Sequence, residues 1–148
     1  MATKGLGKAF NVIPLATGVH ISLKNASGVT FICYEDGGAQ SIVFKQSIAG
    51  ASEVALATVN ELWASSGVAS QVWTRETSDA SAALSNNSTV TKKDTTLFDC
   101  AAIYIGADEL GDGYDSVECT IDGAGICIAI VHDLTVQRAP ENLVTAGV

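Results

Sequence analysis

Apolar residues along this chain recur in short runs, cut by Gly, Asp, Asn and Ser. Ala101–Ile105, Ser116–Ile121 and Ile126–Val131 are three such runs, divided by Gly106–Tyr114 and Asp122–Gly125. Runs of about 5–8 residues rich in Ile and Val, bounded by Gly and Asp, predict strands. The turn Asp122-Gly123-Ala124-Gly125 is short enough to fold the second run onto the third as a hairpin. Near the start, Gly18–Lys24 alternates, with Val19, Ile21 and Leu23 on one side and His20, Ser22 and Lys24 on the other. That period of two predicts a half-buried strand. Val29–Tyr34 is expected to pair with it across the turn Asn25–Gly28. Gln40–Ile48 is a further strand. Phe10–Leu15 is an edge segment, because Pro14 limits its pairing.

One stretch is ambiguous. In Ala51–Ala64, the positions Ala55, Val59, Leu62 and Trp63 follow helical spacing, whereas Val54, Leu56 and Thr58 fit a strand. The all-β surroundings favour strand. Ser70–Thr77 alternates around Val72 and Trp73, and Thr89–Lys93 forms a short strand. Residues 1–9 read as a loose arm. Residues 133–148 read as an extended tail, because Pro140 biases Ala139 away from helix and bars a central strand. No repeat or linker divides the chain. About nine short strands at near-regular spacing predict a mainly β fold: a single-domain antiparallel β-sandwich or barrel, with at most one short helix near residues 51–64.

Composition narrows the function classes. The 148 residues are 47% hydrophobic, enough for a proper core, but only 16% charged, well below the usual quarter. A surface so poor in charge suggests a partner that covers part of it. The net charge is −8. Asp99, Asp108, Glu109, Asp112, Asp115, Glu118 and Asp122 fall in one segment with no Lys or Arg among them. Such a segment repels phosphates and argues against nucleic acid as a partner. No apolar run has the length of a membrane span, and the N-terminus lacks the pattern of a signal peptide, so the chain is expected to be made and used in a cytosol, or built into something that assembles there.

Chemistry is sparse. Cys33, Cys100, Cys119 and Cys127 show no C-x-x-C pair and no His at ligand spacing, so the expectation is reduced, buried thiols and no metal. The alternative is one cross-strand disulfide. Asp108–Asp115 fails as a calcium loop, since Leu110 and Cys119 fall where an EF-hand needs oxygen ligands; Gly113 is expected to supply an unusual backbone angle. His132 and Asp133 are neighbours in a strand-like run, so their side chains should point apart rather than pair. No nucleophile elbow is present, and no catalytic residue is assigned. Trp63 and Trp73 are expected as core or interface anchors.

Several motifs together resemble a family of small head proteins of tailed bacteriophages of actinobacteria. They are Gly18-Val19-His20, Ser27–Phe31, Val72–Arg75, Ala107–Asp115, and above all His132–Leu143, which reads HDLTVQRAPENL. The resemblance spans nearly the whole chain. It implies a capsid accessory protein of the decoration or cement type, located on the virion exterior. The implied partners are the major capsid protein and further copies of the chain itself, with no enzymatic role and no cofactor. Trp63, Trp73, Arg138, Pro140 and Leu143 are then the expected interface residues. The alternatives are a tail or head–tail connector protein, and a carbohydrate- or ligand-binding β-sandwich.

Overall fold

The computed structural model describes residues 10–34, 41–56, 59, 61–65, 72–77, 84–85, 89–91, 99–121 and 125–134. Among the described residues, twelve strands and one 3-10 turn, Ala107–Glu109, make up the regular structure. The strands are β1 (Phe10–Leu15), β2 (His20–Ser22), β3 (Gly28–Tyr34), β4 (Ser41–Ile48), β5 (Ala51–Ala55) and β6 (Glu61–Ser65), followed by β7 (Thr74–Thr77), β8 (Leu84–Ser85), β9 (Thr89–Thr91), β10 (Cys100–Gly106), β11 (Ser116–Ile121) and β12 (Ile126–His132). They form two antiparallel sheets, a β-sandwich rather than a closed barrel. The first sheet runs β1-β12-β3-β10-β6-β7; the second runs β2-β11-β4-β9-β8. The long strand β4 shares its second side between β9, at Ser41–Val43, and β5, at Lys45–Ile48.

Between the sheets lies one core. Val29, Phe31, Cys33, Ile103 and Val131 from the first sheet meet Ile21, Ile42, Phe44, Val117 and Cys119 from the second. The Phe31 and Phe44 rings sit 5.5 Å apart across the interface. Each fully buried side chain of this size contributes roughly 1.5–3 kcal/mol relative to exposure. The alternation read in Gly18–Lys24 puts Ile21 and Leu23 into that core, as expected. The ambiguous stretch is two strands, β5 and β6, with Leu56 and Val59 buried between them. Its helical spacing marks no single buried face: Val59 and Leu62 are buried, but Ala55 and Trp63 are exposed.

Two expected hairpins do not form. β2 pairs with β11 in the second sheet, whereas β3 pairs with β10 and β12 in the first. β11 and β12 also lie in opposite sheets. In each case the two consecutive strands belong to different sheets. The apolar faces of sequential strands then meet through the sandwich instead of lying side by side. A tight hairpin does form at β4–β5, where Ala49 and Gly50 both have positive φ, 48° and 79°. Those values suit a two-residue primed turn. Pro14 falls on the edge strand β1, where a missing N–H is tolerated. Gly113, at φ 85°, supplies the angle expected of it.

Candidate functional site

Among the described residues, the outer face of the first sheet is the least ordinary surface. Residues paired directly across antiparallel strands share a face. The register therefore draws one row through Pro14, Ile128, Ile32, Ala102 and Trp63, ending at Arg75. A parallel row carries Val12, Ile130, Thr30 and Tyr104. Ile126 is 60% exposed, Tyr104 54% and Trp63 43%. A sandwich normally presents polar side chains on its outer faces. Here only the end of the row is charged, where Arg75 pairs with Glu61. Contiguous exposed apolar surface of this kind marks an interaction site.

The expected interface residues fall unevenly. Trp63 projects from β6 into the apolar row. Trp73, just before β7, is also 43% exposed, so neither tryptophan is a core residue. Arg138, Pro140 and Leu143 lie outside the described residues. Ile32, Tyr104, Ile126 and Ile128 were missed by sequence reasoning. Their signal was present: Ile126–Val131 is apolar at every position, so both faces of that strand, not one, are apolar. Asp133 and Leu134, assigned to the tail, are still held by the domain. Asp133 accepts a hydrogen bond from the Ser27 hydroxyl (2.9 Å), and Leu134 packs on the core.

The second sheet carries a polar network on its outer face. His20, Glu118 and Lys45 are register partners. Glu53, from β5, reaches back over them. His20 lies between the Ser47 hydroxyl, 2.8 Å from Nδ1, and the Glu53 carboxylate, 2.9 Å from Nε2. Ser47 is fully buried, so its oxygen bonds within the fold and offers no approach to a substrate. Lys45 donates to Glu53 at 2.8 Å and lies 3.5 Å from Glu118. The Glu53 and Glu118 carboxylates raise the Lys45 pKa, while Lys45 and then His20 lower that of Glu53. Oε1 of the buried Glu118 accepts from the Gly18 amide and the Thr120 hydroxyl, while Oε2 has no hydrogen-bond partner. His20, Glu53 and Glu118 could together ligate a cation, but the Lys45 ammonium already supplies the positive charge there.

His132 and Asp133 do not pair. His132 Nε2 lies 2.7 Å from the Thr30 hydroxyl, and Asp133 turns away to Ser27.

Three of the four cysteines converge in the core. The sulfurs of Cys33 and Cys127 are 3.6 Å apart, those of Cys119 and Cys127 3.7 Å, and those of Cys33 and Cys119 3.9 Å. Cys33 and Cys127 are direct partners on β3 and β12; Cys119 faces them from β11 in the other sheet. The Cys119 and Cys33 thiols hold Cys127 down to about 5. Burial, with the Cys127 and Cys33 sulfurs, pushes Cys119 well up. For Cys33 the pull of the Cys119 thiol is outweighed by Cys127 and burial, and its pKa also rises. Cys100 stands apart, half-buried at the start of β10.

No protein-family model, curated protein or solved structure matches this chain.

Proposed function

We propose that the chain is a structural protein of a virion, a decoration or cement subunit that docks on the major capsid shell through the outer face of its first sheet. The observation that carries this reading is the continuous apolar row from Pro14 to Trp63 on a face that a free-standing sandwich would keep polar. The family resemblance supplies the identity of the partner. The low charged fraction, 16%, fits a surface that is covered in the working assembly. Such a subunit works by burying area and bridging shell subunits, and repeated copies on a symmetric shell give the homo-oligomeric arrangement.

The test uses empty, tailless shells of an actinobacterial phage from which accessory proteins have been stripped. The purified chain should co-sediment with them. Trp63→Glu and Ile128→Glu should each weaken that binding at least tenfold while leaving the unfolding midpoint close to wild type, because both side chains lie outside the core. A charge placed at the centre of an apolar interface costs about 1.4 kcal/mol for each tenfold loss. Unchanged binding by both variants would refute the docking face. The exposed Trp63 ring also suits sugar stacking. Specific retention on a glycan array, with no binding to shells, would replace the capsid reading with a carbohydrate-binding module.

A further inference from the structure

We propose that Cys33, Cys119 and Cys127 form a three-thiolate site for a zinc-class cation, with an open fourth position facing a cleft at the edge of the sandwich. Distances along the chain conceal this site, since Cys33 stands 86 residues from Cys119 and 94 from Cys127. In the fold the three sulfurs form a nearly equilateral triangle with sides of 3.6, 3.7 and 3.9 Å. A point equidistant from them lies about 2.2 Å from each, against a Zn–S length of about 2.3 Å. An ion would therefore sit slightly out of the sulfur plane with little movement of the side chains. That displacement is the geometry of a tetrahedral ion with its fourth ligand on one side.

The cleft provides that side. It has a volume of about 270 Å³ and is lined by Leu15, Thr17, Cys119, Thr120, Gly125 and Cys127. Two of the three cysteines thus line the cleft, beside Thr17 and Thr120. A site with three protein ligands and one exchangeable position is the arrangement that zinc adopts when it binds a water or a small anion. Thiolates are also the ligands that favour zinc over magnesium or calcium. Thiols lose their protons when they ligate an ion, so affinity falls as pH is lowered. Two ligands come from the first sheet and one from the second, so an occupied site would clamp the sandwich across its core.

The full chain, reduced and stripped of metal, is titrated with Co²⁺ and then with Zn²⁺. The expected result is one Co²⁺ per chain, with a strong sulfur-to-cobalt charge-transfer band that Zn²⁺ abolishes. Zinc-edge X-ray absorption on the Zn²⁺-loaded wild type should show three sulfurs and one lighter ligand; this readout needs no variant and is independent of any folding defect. Cys127→Ser should lose the charge-transfer band, and Cys100→Ser should retain it, with urea unfolding of the metal-free variants showing that both are folded. Absence of the band in the wild type, fewer than three sulfurs at zinc, or a band that survives Cys127→Ser would each overturn the site. Shell binding is a separate measurement, so the site and the docking face stand or fall independently.

Discussion

Asp115 ties three connections together, and replacing it with asparagine should expose a stability contribution that depends on pH. Its carboxylate accepts from the Ser116 hydroxyl (2.6 Å) and the Ala49 amide (2.8 Å), and pairs with Lys24 (3.0 Å). Its main chain bonds Leu23 and Ser47. The β2–β3 turn, the β4–β5 hairpin and the loop before β11 are thus joined at one residue. These contacts, with Ser116 the largest, then Ala49 and Lys24, lower its pKa from 3.8 to about 2. At about 1.36 kcal/mol per unit, that shift corresponds to roughly 2.4 kcal/mol. Lys24 is 59% exposed and the Asp115 side chain 17%, so screening by solvent reduces the expected value to about 1–2 kcal/mol. The folded-state pKa is depressed, so the contribution is complete above about pH 3.8 and disappears as pH falls through about 2. Asp115→Asn keeps the shape and removes the charge. Urea unfolding at pH 7 should show the variant about 1–2 kcal/mol less stable, and near pH 2 the difference should vanish. A penalty of the same size at both pH values would refute the electrostatic account and leave only a steric one.

Lys45→Met should cost about 3 kcal/mol, because the buried Glu118 Oε2 then lacks its counter-ion. Adding Glu118→Gln should recover part of that loss, and a double-mutant cycle with coupling under about 0.5 kcal/mol would contradict the pairing. Gly28→Ala should destabilise by about 1–3 kcal/mol in thermal or urea unfolding, since its Cβ would lie 2.6 Å from the Ile105 carbonyl and 2.5 Å from the Tyr104 hydroxyl. Deleting Ala139–Val148 should leave the thermal midpoint nearly unchanged and weaken binding to stripped shells, with Arg138→Ala acting the same way more mildly; a truncated chain that fails to fold would place the tail in the core.

The strand inventory was legible because period-two alternation and Gly/Asp punctuation are local signals. Gly18–Lys24, Val29–Tyr34 and Ile126–Val131 needed nothing beyond their own residues to be strands. The edge position of Phe10–Leu15 followed from Pro14 alone. Pairing was another matter. Asn25–Gly28 and Asp122–Gly125 have the length of hairpin turns, yet the strands flanking each lie in different sheets. Whether a turn folds back or crosses over depends on where the partner strands bury their apolar faces, and those partners lie far away in sequence. The same distance concealed the thiol cluster: four cysteines without ligand spacing read as ordinary core residues until β3, β11 and β12 brought three sulfurs within 4 Å. His20 reads as a polar-face residue and is one, but only the return of Glu53 over the second sheet buries it. The apolar outer face lies between these cases. Its strands are visibly apolar on both sides, but only the register that aligns Pro14, Ile128, Ile32, Ala102 and Trp63 turns scattered residues into one surface. Local chemistry thus determined what each segment is, and non-local packing decided what each segment faces.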